Sequence, residues 1–567
     1  MKKLKYFLAI STIFVVTSCG DYLDSENLYG VSLETFYKTP TDINQAMSGV
    51  YNAMYTNNVL SEEQMAANLM DNMMLGAGGS DDKAAKWVDN FEDPVEDTYR
   101  DMWVQSYNGI ARANAIIEKT EIADFSKYFT TNEEAEKFKK QAIGEALFMR
   151  AFFYFRLAKF FGGVPLIVSV DGSKTVARAT YTETFAQIAT DLKLAIETMP
   201  ATPFPSIPTS SYGHANKWVA EAYLARVYLF YTGYMTNIEQ KATTDLPLIG
   251  GTALSATDVT SYLNDCITNS GHALVSDFRN LWPYSYVNKS AGSTVLPWAV
   301  TNNLSWAGQD GKAPTFGTGN LETMFVQRFS FGDWGWRDGY RYTNRLCLFT
   351  AIRGNSMVPF GQGWGWCTIN PKLWNDWGDN DPRKLGSILQ VGKAEQGTDS
   401  YQADQGDHET GYFNKKYTSL QHGSASGNKG MFVQMYNWSN ADMQLMHAQD
   451  FIFMRYADVL LMHSEITKTA TGMNAVRARA GLSAVGYSLD AIKEERLHEF
   501  AFEGLHWFDL IRWGDVTTAF NDSFPVRNSG TAATYTVKYR TETKGLMPIP
   551  ETEVRLSNGV YNQNPGW

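Results

Sequence analysis

Hydrophobic positions recur with a helical period through the first half of the chain. The clearest pattern spans residues 140–161, where one face of the predicted helix carries, at spacings of four and three residues, Ile143, Leu147, Arg150, Tyr154, Leu157 and Phe161. Gly162, Gly163 and Pro165 follow and end the helix. Because Arg150 lies on this apolar stripe, we expect a buried ion pair or a carbonyl contact to hold it.

A second helical pattern covers residues 214–232. Leu224, Ala225 and Tyr228 have the spacing of the first helix of a tetratricopeptide repeat, with Ala in place of Gly. Ile188 and Leu192 match the second helix of that repeat loosely. A clean 34-residue period is missing, so we interpret these segments as degenerate helix pairs stacked into a solenoid-like wall. Generic amphipathic helices are the alternative.

The periodicity fades from about residue 276 to about residue 450, where Gly, Ser, Asn and Asp cluster. Helical patterns return at 453–469 and at 488–513, with Ser488 or Asp490 as the N-cap of the latter. The last 25 residues contain several prolines and should lie extended over the surface. The pattern therefore predicts a helical wall, an irregular insert, further helices and an extended tail.

The first residues are typical of an exported protein. Three lysines precede an apolar run at residues 6–16, and small residues then lead to Cys19. This arrangement predicts a signal peptide over residues 1–18, because a bilayer span needs about 20 apolar residues. Small residues before a cysteine resemble a bacterial lipobox, which makes Cys19 the predicted lipidation site. An ordinary cleaved signal with a chance cysteine is the alternative.

Charge and cysteine content narrow the function further. The chain has 49 Lys and Arg against 60 Asp and Glu, a net charge of −11 that becomes −14 without the three signal lysines. An acidic chain argues against nucleic acid and against an anionic membrane surface as the main ligand, and favours a neutral ligand. Cys266, Cys347 and Cys367 have no CxxC spacing, so neither a disulfide framework nor a zinc cage is expected. Cys347 and Cys367 could pair, or all three could be buried thiols.

Tryptophan is concentrated in the irregular part of the chain. Nine of the sixteen tryptophans lie between residues 282 and 377. A flat ring on a loop can cover the apolar face of a sugar, while neighbouring polar groups fix its orientation. We therefore predict ligand contacts at Trp306, Trp334, Trp336 and Tyr340. The alternative is that these rings pack under the loops, as we expect for Trp374 and Trp377.

Other chemistry is weakly supported. Glu495, Glu499 and Glu503 fall on one helical face, and paired carboxylates are what a glycoside hydrolase needs. Such carboxylates normally face each other across a cleft, so an ion network is the expected role. His498 and Glu499 begin an HExxH motif, but residue 502 is Phe. No cofactor is expected, and a structural Ca²⁺ bound by scattered loop oxygens is left open.

Five segments together resemble the SusD/RagB family, the starch-utilisation outer-membrane lipoproteins of the Bacteroidetes. In chain order they are Cys19 with residues 21–24 and 49–52; Trp103 with residues 107–110 and Asn114; residues 150–154 with 161–165; residues 494–504 with 507–514; and residues 548–550 with Glu553 and residues 563–567. Order and spacing both match over nearly the whole mature chain. Trp298 is a departure, because family members often carry a Glu there.

The resemblance implies a mainly α fold: tetratricopeptide-like helix pairs form a right-handed helical wall, and a loop-rich ligand-binding half carries a few short strands. It also implies one compact fold, with an N-terminal SusD-like region over residues 19–232 and a C-terminal RagB/SusD region over residues 233–567. In this family the loop before the Trp103–Asn114 helix often contributes a platform aromatic, which makes Trp87 a candidate, with Asp71 as a hydroxyl acceptor.

The resemblance further implies a non-catalytic lipoprotein on the cell surface. Such proteins bind glycans and pass them to a SusC-like TonB-dependent transporter in the outer membrane. Relatives in the RagB branch handle peptides, so peptide uptake is the alternative function. A glycosidase is a third and weaker hypothesis.

Overall fold

A computed structural model describes residues 36–79, 84–92, 97–173, 175–286, 297–309, 320–335, 339–354, 357–401, 406–422, 429–439, 442–520 and 522–567. The predicted signal peptide, the predicted lipidation site Cys19 and the predicted ligand residue Trp336 lie outside these ranges.

The first part of the chain is helical. Its α-helices are α1 (Pro40–Asn52), α2 (Glu63–Met70), α3 (Ala84–Asp89), α4 (Arg100–Ile122), α5 (Asn132–Phe161), α6 (Tyr181–Thr198), α7 (Lys217–Asn237) and α8 (Ala256–Asn269). Helices α4 to α8 pack side by side in sequence order, and α1 packs on α4. This confirms the predicted wall of helices stacked on their chain neighbours.

The second part contains short elements joined by loops. Its helices are α9 (Pro297–Thr301), α10 (Arg345–Thr350), α11 (Pro371–Asp376), α12 (Pro382–Ser387), α13 (Met431–Met435), α14 (Tyr456–Thr467), α15 (Thr471–Arg479), α16 (Leu489–Phe500), α17 (His506–Trp513), α18 (Val516–Ala519) and α19 (Glu551–Leu556). The prediction of a mainly α fold with an irregular insert is confirmed.

The strands form five separate antiparallel pairs. They are β1 (Met74–Gly76) with β3 (Cys367–Ile369), β2 (Thr323–Gln327) with β8 (Phe451–Arg455), β4 (Ile388–Gln390) with β5 (Tyr412–Asn414), β6 (Gln421–His422) with β7 (Lys429–Gly430), and β9 (Ser523–Asn528) with β10 (Thr531–Thr536). The β2–β8 pair attaches the loop-rich part to the wall, because Phe325 of β2 packs on Phe148 and Phe152 of α5 at ring distances of 5.1 and 5.5 Å.

Helix α5 shows how the sequence directs the wall. Thr131 and Glu134 form a capping box at its start, and Gly162 ends it with a φ of 77°, a conformation that favours glycine. Arg150 is buried and donates to Asp191 at 2.7 and 2.8 Å and to Asn114 at 2.9 Å. The predicted buried ion pair is therefore confirmed.

Three predicted helical or extended segments differ from the structure. The helix expected over 453–469 starts only at Tyr456, because residues 451–455 pair with β2 as strand β8. The helix expected over 488–513 is broken between α16 and α17, where Phe502 and Gly504 both have positive φ. The extended tail contains α19, which begins directly after Pro550.

A charged cluster occupies the interior beside α16. Arg455 is buried and donates to Glu503 at 2.9 Å, to Glu322 at 2.8 Å and to Glu499. Arg383 donates to Glu499 at 3.0 Å and also to Glu495. Each of the three glutamates in the predicted row is ion-paired and buried, which confirms the structural role expected for them.

Cys266, Cys347 and Cys367 are buried free thiols, which decides between the two possibilities that the sequence left open. Burial raises the pKa of Cys367 well above its usual value, so this thiol is protonated at neutral pH. None of the helices in the described ranges is long and apolar enough to cross a membrane.

Candidate functional site

Five aromatic side chains from two loops form a surface that we call the aromatic platform: Phe331, Trp334, Tyr340, Tyr436 and Trp438. Trp334 stacks on Tyr340 with ring centres 5.8 Å apart, and Phe331 stacks on Trp438 at 4.9 Å. Tyr436 meets Phe331 edge-on at 6.2 Å. Trp334 is 58% exposed and Trp438 is 47% exposed, so the outer ring of each stack faces solvent. Large aromatic rings exposed in one place mark a binding surface.

Local sequence explains how the two loops meet. The Gly332 amide donates to the Leu445 carbonyl at 2.9 Å, and a Cβ at Gly332 would lie only 2.8 Å from the Leu445 side chain. Trp334 Nε1 donates to the Asp442 carboxylate at 2.8 Å, which fixes the orientation of the exposed indole. A Cβ at 332 would force the Leu445 side chain to move, so this close approach favours glycine.

The platform is anchored to the helical wall through α1. Asn52 at the end of α1 donates to the Tyr342 hydroxyl at 2.8 Å and accepts from Arg341 at 3.0 Å. Arg345 donates to the Thr56 carbonyl at 2.6 Å and pairs with Glu62. Since these contacts lie within a few residues of Tyr340, the inner ring of the Trp334 stack is positioned by the fold.

A second aromatic layer lies beneath the platform. Trp306 is 3% exposed and packs edge-on against Phe432 at 6.3 Å and Tyr286 at 6.1 Å. Phe432 in turn stacks on Tyr436 of the platform at 6.2 Å. The prediction that Trp306 contacts ligand does not fit its burial. Trp306 supports the platform from below, because its indole packs inside the loops.

Asp71 also differs from its predicted role. Its carboxylate is completely buried and accepts from the backbone amides of Met73 and Met74 at 2.7 and 3.3 Å. Desolvation raises the pKa of Asp71 well above its usual value. The side chain holds the turn between α2 and β1 and is not available to a ligand on the surface.

Trp87 is half-buried on α3, which packs on β1 and α2. Its neighbour Lys86 pairs with Asp407 at 3.0 Å. In the part of the chain that the structure describes, no ring contact or hydrogen bond joins Trp87 to the aromatic platform. Its ligand role stays a prediction.

The Trp364-x-Trp366 pair has a different setting from Trp334. Both rings are half-buried against Phe349, at 4.6 and 4.3 Å, and they are tilted by 40° to each other. Gly365 between them has a φ of 61°, so the backbone is not extended here, and the two rings do not point the same way as residues two apart in a strand do. This pair contributes mainly to the core.

Sequence reasoning missed three of the five platform residues, Phe331, Tyr436 and Trp438. A sequence signal for two of them exists: Tyr436 and Trp438 are two residues apart, next to Asn437 and Ser439, as Trp334 and Trp336 are two residues apart in the other loop. It was hidden because residues 436–438 are remote from Trp334 in sequence, and only folding brings the two loops together.

Within the described ranges, no three His, Cys, Asp or Glu side chains come together as a set of metal ligands. His498 stacks flat on Trp377 with ring centres 4.4 Å apart. Burial lowers its pKa to about 4, so this imidazole is a neutral core side chain.

The fold is a helical wall with a loop-rich half that exposes the aromatic platform, and comparison with known families gives the family. Two family models match in chain order, one described as "starch-binding associating with outer membrane" over residues 21–229 and one as "SusD family" over residues 367–567. The chain belongs to the SusD/RagB family.

Related proteins match over most or all of their length. "SusD-like protein P2" from Formosa agariphila is 24% identical, with 100% of both chains aligned. A "SusD-like protein" from Bacteroides ovatus is 21% identical over 90% of this chain and 82% of that one.

Solved structures share the fold. The surface glycan-binding protein A from Bacteroides thetaiotaomicron, in complex with laminarihexaose, has a TM-score of 0.68 at 18% identity, covering 93% of this chain and 99% of that one. A laminarin-binding SusD-like protein has a TM-score of 0.69 at 22% identity, covering 94% and 100%. At these identities the likeness is one of fold.

Proposed function

We propose that this protein is a non-catalytic glycan-binding lipoprotein of the outer membrane that captures oligosaccharides at the aromatic platform. The observation that carries the proposal is the pair of aromatic stacks with solvent-facing outer rings, Trp334 and Trp438. Two rings held rigidly by their inner partners can each cover the C–H face of a sugar residue. Asp333, next to Trp334 in the chain, is exposed and can accept hydrogen bonds from hydroxyl groups.

The charges around the platform support a neutral ligand. Arg341 and Arg345 lie behind the rings but already donate to Asn52, Thr56 and Glu62, so their charges are turned toward the wall. With a net charge of −11 on the whole chain, a polyanionic glycan would be repelled at long range. One structural neighbour binds laminarin and another is in complex with laminarihexaose, so these neutral glucans are the first ligands to try.

The absence of catalysis is part of the proposal. The row of glutamates that most resembles hydrolase chemistry is buried and ion-paired with Arg383, Arg455 and Lys416. A retaining or inverting glycosidase needs two carboxyl groups on either side of an accessible sugar. Prolonged incubation of the protein with a bound polysaccharide should therefore release no reducing sugar.

The first experiment is affinity electrophoresis of the chain without residues 1–19 through gels that contain laminarin or other neutral polysaccharides. We expect retardation by at least one glycan, and loss of retardation in Trp334→Ala/Trp438→Ala. Leu556→Ala is a matched surface control, because Leu556 is 65% exposed on α19 and outside the platform. Equal retardation of the double variant and the wild type contradicts the site, and retention of peptides in place of glycans contradicts the function.

We also propose lipid attachment at Cys19 and delivery of the glycan to a SusC-like transporter. The family resemblance supports both, and the lipobox-like sequence before Cys19 supports the first. Metabolic labelling with a fatty acid should mark the wild type but not Cys19→Ala. Co-purification of a TonB-dependent transporter from native membranes tests delivery, and its consistent absence would contradict the partnership.

A further inference from the structure

A large cleft on the helical wall is separate from the aromatic platform. It measures about 910 Å³ and lies between α1, the first turns of α5 and the loop of residues 200–216. Its wall includes Met47 of α1, Phe138 of α5 and Ile207 of the loop, and no platform side chain lines it. Ligand sites typically have volumes of about 300–1,000 Å³.

The base of the cleft holds a connected polar group. Glu145 is buried and accepts from the Tyr51 hydroxyl at 2.7 Å, while His214 Nδ1 lies 3.1 Å from the same carboxylate oxygen. The Tyr51 ring stacks on His214 at 4.3 Å. Gln141 approaches the second carboxylate oxygen at 3.5 Å and donates to the Ala215 carbonyl at 3.2 Å. These contacts orient the imidazole and the amide that line the cavity.

The remaining lining combines flat apolar surface with uncharged hydrogen-bonding groups. The apolar side is formed by Tyr128, Phe129, Phe138, Pro200, Ile207 and Pro208, and the polar side by Asn44, Ser48, Thr202, Ser210, Ser211 and Asn216. Charges of opposite sign, Glu134 and Lys137, lie at the exposed rim, where solvent screens them.

We propose that this cleft is a second binding site, for a short neutral saccharide. Hydroxyl groups both donate and accept, which matches a lining of amides, hydroxyls and an imidazole. The buried Glu145 carboxylate disfavours an anion, and its bonds from Tyr51 and His214 leave it poorly placed to pair with a cation. The proposal goes beyond binding at the platform and does not depend on it.

Helix α1 connects the two sites. Met47 lines the cleft and Asn52 supports the platform. The two residues are five positions apart on the helix, which corresponds to roughly 7.5 Å along its axis. Because the sites are this close, an experiment must report on each of them separately. Methionine methyl groups serve this purpose, since Met47 lines the cleft and Met435 packs in the layer under the platform.

The test is a titration of the purified protein, labelled with ¹³C in its methionine methyl groups, with glucose, maltotriose and laminaritriose. Met47→Leu and Met435→Leu assign the two signals. We expect at least one sugar to shift the Met47 signal in the wild type and equally in Trp334→Ala/Trp438→Ala. Asn44→Trp, which places a large ring in the cleft, should weaken this response about tenfold or more.

Gln45→Trp is the matched control, because Gln45 is exposed on the same helix but does not line the cleft. It should leave the Met47 response unchanged. A Met47 signal that no sugar moves overturns the cleft site, whatever Met435 does, and so does a response that persists in Asn44→Trp or disappears in the platform variant. A response to peptides without one to sugars also overturns it. The Met435 signal reports independently on sugar binding at the platform.

Discussion

The aromatic platform and the charged cluster around Arg455 are both built from side chains that suggest chemistry in a sequence. At the platform, Trp334 and Trp438 keep about half of their surface in solvent and have partners on one side only. In the cluster, Arg455 and Glu499 are buried and their hydrogen-bonding groups are satisfied by each other. A functional group is available for binding only where the fold leaves one of its faces without a protein partner.

The largest expected effect lies in the cluster. Glu499→Ala leaves Arg455, Arg383 and Arg479 without one of their shared acceptors in a buried site. Breaking a buried ion pair by removing one partner costs about 3–5 kcal/mol. Denaturant unfolding should show a loss of this size. A loss below about 1 kcal/mol, the range of an exposed pair, would remove the distinction between cluster and surface.

The layer under the platform should behave like the interior. Trp306→Ala removes a buried indole and should cost about 3–5 kcal/mol of unfolding free energy. Because Phe432 and Tyr436 lose support, we also expect weaker glycan binding. A variant that is fully stable and loses only binding would instead place Trp306 in direct contact with ligand. Urea unfolding and affinity electrophoresis of the same preparation separate these outcomes.

Asp89 makes the stability of the protein depend on pH. Its carboxylate is buried, accepts from the Gly76 amide at 2.9 Å and the Tyr535 hydroxyl at 2.6 Å, and burial raises its pKa from 3.8 to about 7. Between about pH 4 and pH 7, the folded state therefore keeps a proton on Asp89 that the unfolded state loses. Its contribution to stability is complete below pH 4 and is lost as the pH rises through about 7.

Asp89→Asn should remove this pH dependence. Between pH 4 and pH 8 the wild type should therefore lose more unfolding free energy than the variant, by an amount on the order of 4 kcal/mol at most. Unfolding curves of wild type and variant at several pH values measure this difference. Asp71 is present in both proteins, so its own pH-dependent contribution cancels in the comparison. A gap between the two proteins that stays constant from pH 4 to pH 8 would contradict the assignment.

At the platform, effects should fall on binding and spare stability. Trp334→Ala should cost on the order of 2 kcal/mol of glycan binding if the ring is a hot spot, with unfolding changed by less than about 0.5 kcal/mol. Isothermal titration and thermal unfolding check the pair of values. Stability loss equal to that of Trp306→Ala would mean that Trp334 is a core residue.

The smallest expected effect separates the contribution of the Trp334 ring from that of its indole N–H. Trp334→Phe keeps a flat ring over Tyr340 but loses the 2.8 Å hydrogen bond to Asp442. We expect a loss of about 0.5–1.5 kcal/mol in binding, the size of one hydrogen bond. An effect as large as that of Trp334→Ala would make orientation by Asp442, and not ring area, the main source of affinity.

Much of the fold could be predicted from local pattern, because it depends on contacts close in sequence. The stripe through Arg150 and Leu157 identified α5, and its capping residues lie next to it in the chain. Strand β8 was mistaken for helix because its identity comes from pairing with β2, more than 120 residues earlier. The break between α16 and α17 depends on Phe502, whose positive φ is a conformation that only tertiary packing stabilises in a non-glycine residue.

Only part of the candidate site could be predicted from the sequence, for the same reason. Trp334 and Tyr340 share one loop, and their composition pointed to a platform. Phe331 and Trp438 form their stack across segments more than 100 residues apart, which no local pattern records.

By itself, the sequence determined the helical wall, the loop-rich insert, the ion-paired role of the glutamate row and the family to which the chain belongs. These features follow from periodicity, composition and ordered motifs, which are local properties of a chain. The tertiary structure alone decided which aromatic rings face solvent. Trp306 and Trp334 come from the same tryptophan-rich segment, yet one is 3% and the other 58% exposed. Exposure depends on what the rest of the chain packs against each ring, and that is settled only when distant loops meet.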